Sequence, residues 1–414
     1  MRSPPDDNVP SAASAPSPWS PLRIRVYRSL WIAGLVSNIG TFMHTVAAGW
    51  AMTSLTTSPT TVSLVQTAWT VPGFLLALHA GAFADVIDRR KVIITTQLVA
   101  LVVAGGLGVL DITDHLTVTL LLVGTFVLSI ALTLAGPAFM AFTPELVGLD
   151  ELPRAVGLDS ISRNVAQSAG PALAGVVIAA SGPGAVFLVN AASFIGIVIV
   201  LRGYHSTSER SEAPRAINAA IRSGVQYFWR TSRLRRIAGR LVLTWGLTVS
   251  LTALLPIAAR SNLHVNAGAF GLLSAAIGAG AVAAVWALPR WKRSAGPDHI
   301  AFVAAVVWSA GVLLFAATDW LPIAIVGLVL AGAGTMGTLN TLFSNFIATP
   351  PSWVRGRVSS IAMLSTWLGA SVGATAWGAI GSATSVRTAL FIAAAVNLVA
   401  VAAASTLWRI DPRP

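Results

Sequence analysis

Apolar runs of membrane length alternate with short polar links from residue 30 almost to the end of the chain. The first, 30–52, is bracketed by Trp31 and Trp50, nineteen residues apart. At ~1.5 Å per helical residue that spacing spans the ~30 Å hydrocarbon core of a bilayer, and tryptophan at both ends fits the aromatic belts of a membrane. Within it, Ser37, Thr41, His44 and Thr45 recur on one helical face, with Asn38 beside them. That face is expected to point into protein or water rather than lipid. Five further runs follow at 62–84, 92–110, 116–134, 159–180 and 184–201. The pair Pro72-Gly73 is expected to kink the second. After a basic stretch at 202–240, six more lie at 241–259, 267–288, 299–317, 321–347, 358–380 and 386–408. Apolar length alone therefore predicts twelve membrane-spanning helices.

The second set repeats the first. Arg154 is followed sixteen residues later by Gly170 and five later by Gly175; Arg357, Gly373 and Gly378 keep the same spacing at an offset of 203 residues. Leu288-Pro289-Arg290-Trp291-Lys292-Arg293 is a degraded echo of the loop after Asp85 at about the same offset. A shared half-chain offset with six runs on each side argues for two parallel six-helix repeats. The expected organisation is a disordered tail (1–21), a first six-helix bundle (22–201), a basic linker with an amphipathic helix (202–240) and a second six-helix bundle (241–414).

Composition agrees. Of 414 residues, 55% are hydrophobic and 10% charged, against about a quarter charged in soluble domains. The net charge of +12 raises nucleic acid as a partner, and the placement of the bases excludes it. Of 27 Lys and Arg, only Arg260 and Arg387 fall in links on the far side, and Arg163 lies just inside the fifth run. That bias predicts cytoplasmic termini. Residues 1–21, rich in proline and lacking an apolar core, do not read as a signal peptide. The absence of cysteine excludes disulfides and thiolate metal sites. In the linker, nine arginines accompany Ile217, Ile221, Val225 and Phe228 at helical spacing. This reads either as an amphipathic helix on anionic lipid, with 215–236 as the contact, or as a solvated linker with orienting charge.

The segment from Gly81 to Lys91 closes the second run with Asp85 and Asp88 and then three bases. It resembles the loop signature of the major facilitator superfamily, roughly G-x-L-A-D-R-x-G-R-K. Gly81, Ala84, Asp85, Arg89 and Arg90 match, and Phe83 takes the apolar position. Val86 and Asp88 depart from it; an acid at the latter is similar to the branch of enterobactin exporters and transmembrane secretion effectors. The arginine missing at 86 removes one interdomain salt bridge of the family pattern. Gly170-Pro171 and Gly175 resemble the core of a motif of antiporter members, with Ala166 and Ala174 in place of two of its glycines. Small residues would equally serve plain close packing.

The resemblance implies an all-α membrane protein, twelve helices in two pseudo-symmetric six-helix bundles, working by alternating access. It implies a gate at Gly81, Asp85, Arg89, Arg90, Gly170, Pro171, Gly175 and Arg357. It also places helices 1, 4, 7 and 10 around a central cavity. Lining candidates are then Asn38, Thr41, His44, Thr244, Asn340 and Ser344, with Gln66, Gln167 and Trp367 from neighbouring helices. No fixed charge marks that cavity apart from Arg163 near its inner mouth, which favours an uncharged or amphiphilic, aromatic-bearing substrate. The function expected is proton-coupled efflux of a small metabolite, siderophore or drug across the plasma membrane by a monomer without cofactor or metal. A lipid carrier and a downhill facilitator are the alternatives. No phosphate-binding loop, metal-spaced histidines or nucleophile–base set supports an enzyme. Each acid lies at or outside a helix end, and His44 alone is a mid-span group that titrates near neutral pH, which makes it the proton-coupling candidate.

Overall fold

The computed structural model describes residues 17–86, 88–204 and 214–410, without the side chains of 77–86, 214–221, 352–353 and 356–357. The described chain is helical throughout. The helices are α1 (Arg25–Leu55), α2 (Pro59–Val86), α3 (Arg89–Ile112), α4 (Val118–Val147), α5 (Leu152–Arg202), α6 (Pro214–Arg230), α7 (Ser232–Ser261), α8 (Ala267–Trp291), α9 (Pro297–Ala317), α10 (Leu321–Ala348), α11 (Ser352–Ala383) and α12 (Val386–Leu407).

Nine of these carry, among the described residues, an apolar stretch long enough to cross a membrane. One of the nine is α5, which makes two crossings. It breaks where Gly182 takes a φ of 79°, the left-handed region that glycine enters without steric cost, and Pro183 restarts the helix. With α2 and α11, of 28 and 32 residues, the crossings number twelve.

Three boundaries differ from expectation. Part of the tail is ordered: Ser20–Arg23 forms a 3-10 turn, Pro21 is buried, and the Ser20 hydroxyl donates to Glu151. The seventh span begins inside the stretch assigned to the linker, and Arg240, counted there as a solvated base, is only 4% exposed. It pairs with Asp298 at the start of α9 and donates to the carbonyl of Trp408 after α12. A helix C-terminus and a carboxylate together compensate the buried cation. Finally, α6 packs on α11, and Tyr227 and Phe228 rest on the cluster of Leu234, Val354 and Val358. The apolar side of α6 is thus partly spent on protein; Ile217 and Ile221 have side chains outside the described residues.

Helices α1–α5 form one half and α7–α12 the other. Two seams join them, α2 against α11 and α5 against α8. The 203-residue repeat is realised here. Gly170 of α5 lies against Phe42 of α1, and Gly373 of α11 lies against Gly246 of α7, each the first helix of its own half. Gly175 then meets Gly271 of α8, and Gly378 meets Ser63 of α2, each the second helix of the opposite half. Lipid supplies no hydrophobic drive between helices, so such close backbone approach is what holds membrane helices together.

Candidate functional site: two seams and a cleft

One end of the molecule carries the central linker and the α2–α3, α4–α5, α8–α9 and α10–α11 turns; this is called the linker end. The two halves close on each other toward the opposite end. There Arg260 of α7 donates to the hydroxyls of Thr53 and Ser54 at 3.2 and 3.1 Å. Its guanidinium lies 5.3 Å from the Trp50 ring, which stacks at 5.0 Å on Phe270 of α8. A cation so placed is held by hydroxyls and a π face rather than a carboxylate.

Along α2/α11 the seam is a ladder of hydroxyls. Thr60 meets Ser382 at 2.7 Å, Thr67 meets Thr375 at 3.0 Å, and Ser371 donates to Thr70 at 2.9 Å. Beyond Thr70 toward the linker end, Trp367 lies over Gly73, beside the Pro72 of the expected kink. Along α5/α8 the seam is glycine on glycine, from Gly175 and Gly271 to Gly278 against Ser168.

At the linker end the strong contacts found among the described residues lie within a half. Arg89 pairs with Glu145 of α4 and donates to the Ala141 carbonyl at 3.2 Å. Arg90 caps the end of α5 through the carbonyls of Leu201 and Arg202 at 2.7 and 3.1 Å. Asp88, the departure from the loop pattern, is the N-cap of α3 and accepts from the Arg90 amide at 3.0 Å. The second half repeats the clamp in neutral form. Lys292, 203 residues after Arg89, donates to Asn340 at 2.9 Å and to Ser344 at 3.0 Å, and Ser344 stands 203 residues after Ala141. Desolvation among these neutral acceptors lowers the Lys292 pKa from the usual 10.5. Glu151, before α5, has its carboxyl held below the usual range, first by the Ser20 hydroxyl and then by Arg154. The side chains of Asp85 and Arg357, and the surroundings of Gly81, lie outside the described residues.

The cavity candidates scatter. His44 does not face a hydrated cavity: it is fully buried, its ring 4.6 Å from Phe187 in the second part of α5, and neither ring nitrogen has a hydrogen-bond partner among the described residues. The face that the 3.6-residue period drew through Ser37 and His44 is packed inside its own half. Asn38 donates to Ser162 of α5 at 3.0 Å. Asn340 and Ser344 are spent on Lys292. Thr244 is buried beside Arg240 and Asn397, within the second half. Thr41 and Gln66 are half-buried. Pro171 is buried, and its carbonyl lies by Gly271 in the glycine seam.

Gln167 reaches an open space between the halves. Where α5 and α8 part toward the linker end, they leave a cleft of about 120 Å³. Asn164, Gln167 and Ser168 line one side, and Val282, Val285 and Trp286 the other, with Met336 of α10 adjoining. The sequence reading missed Asn164, Ser168 and Trp286 as lining. Their i, i+3, i+4 polar stripe on α5 was the available signal.

Residues 16–412 match the family described as transmembrane secretion effector. The staphyloferrin A transporter of Staphylococcus aureus is 22% identical over 331 residues, 79% of this chain and 82% of that one. An enterobactin exporter of Citrobacter koseri is 24% identical over 366 residues, covering 86% and 85%. A bacterial homologue of the human lysosomal transporter Spinster, solved in an inward-facing, occupied conformation, superposes with a TM-score of 0.74 at 14% identity. That superposition covers 95% of this chain and 97% of that one.

Proposed function

The chain belongs to the transmembrane secretion effector family of major facilitator transporters, and from that premise we propose that it is a proton-coupled exporter of a small amphiphilic metabolite of siderophore type. It is a transporter and not an enzyme. The linker end faces the cytoplasm, because the bases gather there, so the end closed by Arg260, Thr53 and Ser54 faces outward. The observation that carries the reading is the chemistry of closure. The outward seams are hydroxyls, glycines and one arginine over an indole, contacts each worth on the order of 1 kcal/mol in a membrane protein. Such seams can part and reform in a cycle, whereas the ionic clamps at Arg89 and Arg240 hold each half rigid.

Substrate class follows from the neutral polarity of Gln66, Asn164 and Gln167 along the halves, and from two relatives named for siderophores. Proton coupling falls to His44. It lies about two turns inside Trp50 and packs on Phe187 within the first half, so α1 and the second part of α5 must separate on outward opening for water to reach its ring. An unpaired charge is too costly in its enclosed position, so the ring takes a proton only in the outward-open state. The basic face of α6 meets anionic lipid headgroups.

The test is a panel of aromatic amphiphiles, siderophores among them, supplied to a deletion strain and its complemented parent. Deletion should raise cellular accumulation, and complementation with Asp85→Asn should fail at matched abundance. Lower accumulation in the deletion strain would reverse the direction. Tags at Gly182 and Thr318 should be reachable from outside only and a tag at Ser208 from inside only.

A further inference from the structure

We propose that the cleft between α5 and α8 is a two-walled binding site for one part of the substrate, an aromatic ring bearing a hydrogen-bonding group. This rests on the export reading for its biological sense, while the binding itself is independent of it. The walls differ in kind. On α5, Asn164, Gln167 and Ser168 sit at i, i+3 and i+4 and so share a face. The Ser168 hydroxyl is spent on the Asn164 carbonyl at 2.9 Å, while neither side-chain amide makes a hydrogen bond among the described residues. On α8, Val282, Val285 and Trp286 present alkyl and indole surface, and Trp286 is 74% exposed.

The space between them is about 120 Å³. One water needs only ~10–15 Å³ by the same measure, so the cleft has room for a ring. A site for a whole small molecule runs to ~300–1,000 Å³, so it takes a part of the ligand rather than all of it. Water alone would wet the indole and valines on one side, and an alkyl chain would leave two amides dry on the other. A flat ring with a hydroxyl or carbonyl at one edge satisfies both walls: it stacks or packs on Trp286 and reaches Gln167 or Asn164 with its polar edge.

The position also ties the ligand to the cycle. Gly278 against Ser168 closes the seam just beyond the cleft. If α5 and α8 close at the linker end when the far end opens, the cleft is lost in that state, and an occupant must leave it before the transporter turns. Binding there is therefore confined to one conformer, which is how a ligand biases an equilibrium between two states.

The experiment uses the purified full chain and 6-bromo-2-naphthol, whose bromine quenches indole fluorescence, with 1-bromonaphthalene as the probe lacking a hydroxyl. The naphthol should quench saturably, and the saturable component should vanish in Trp286→Phe, which keeps the wall and removes the reporter. Asn164→Leu combined with Gln167→Leu should weaken naphthol binding about tenfold, the loss of one neutral hydrogen bond whichever amide makes it, and leave bromonaphthalene unchanged. Val282→Trp should fill the cleft and abolish saturation. A linear quench that is equal in Val282→Trp means partition into the surrounding amphiphile only, and overturns the site. Saturation lost in Val282→Trp but indifferent to the two amides means a groove for an alkyl tail, and overturns the two-walled assignment. Gln167→Asn should bind nearly as the parent, and a monodisperse elution profile for every variant removes misfolding as a cause. Saturable naphthol binding without extrusion of any amphiphile leaves this site standing and removes the export reading; extrusion without saturable binding does the reverse.

Discussion

Gly175 and Gly271 lie backbone to backbone across the α5/α8 seam: a Cβ on Gly175 would stand 2.5 Å from the Gly271 Cα. No side chain relieves that clash, because the opposing atom is main chain. Gly175→Val should therefore hold the seam apart. Overpacking of this kind costs ~1–3 kcal/mol, enough to shift an equilibrium between open and closed forms by roughly five- to 150-fold. Transport should fall by about that factor while abundance and elution profile stay as in the parent, with Gly175→Ala intermediate. Parental transport rates in Gly175→Val would remove the glycine contact from the cycle.

The hydroxyl rungs of the α2/α11 seam should each count for less. Thr67→Val and Thr375→Val, alone and together, form a cycle whose coupling should be ~0.6 kcal/mol, the usual value for such bonds inside membranes. Protection of a far-end cysteine from a membrane-impermeant reagent reads the shift. A coupling near zero would mean that these hydroxyls satisfy themselves on their own helices, as Thr375 also does at 3.1 Å on the Ser371 carbonyl.

Lys292 offers a pH test, because the chain has two lysines, Lys91 and Lys292. Partial desolvation lowers the pKa of Lys292, whose side chain is otherwise exposed, so the folded chain holds that proton less tightly than the unfolded chain. Its contribution to stability should then rise as pH climbs toward 10.5, the free-lysine value. Amine-labelling rates at Lys292, read by peptide mass, should have a midpoint below 10.5 that moves up on unfolding. A midpoint unchanged by unfolding would contradict the desolvation that the Asn340 and Ser344 cradle implies.

His44→Gln should keep substrate binding and passive exchange and abolish accumulation driven by a pH gradient in proteoliposomes. A variant that still pumps at the parental rate across an imposed gradient would move coupling elsewhere, with Asp85 and Asp159 next in line, or make the chain a downhill facilitator.

Much of this could be read from the sequence, for reasons that individual residues show. Membrane thickness dictates span length, so Trp31 and Trp50 marked α1 without any tertiary knowledge. The 203-residue offset survived because Gly170, Gly175, Gly373 and Gly378 each occupy a contact that no larger residue fits. What periodicity cannot supply is which neighbour a face meets. His44, Thr41 and Ser37 share a stripe, yet His44 turns to Phe187 and Asn38 to Ser162. The ladder of Thr60, Thr67, Ser371 and Thr375 went unread because a membrane threonine also bonds its own helix one turn back. Asp88 broke the loop pattern for a local reason, the cap of α3. Lys292 and Ser344 become meaningful only when the first-half clamp of Arg89 and Glu145 is seen beside them.

Alternating access with closure at the end opposite the linker is the central claim, and a chain without cysteine makes it directly measurable. Spin labels on Thr57→Cys and Thr384→Cys, both exposed at the closed end and on opposite halves, report the separation of the seam by pulsed electron resonance. Two distance populations should appear, the shorter one dominant, and Gly175→Val should transfer weight to the longer. A single short distance that Gly175→Val leaves unchanged would contradict the account.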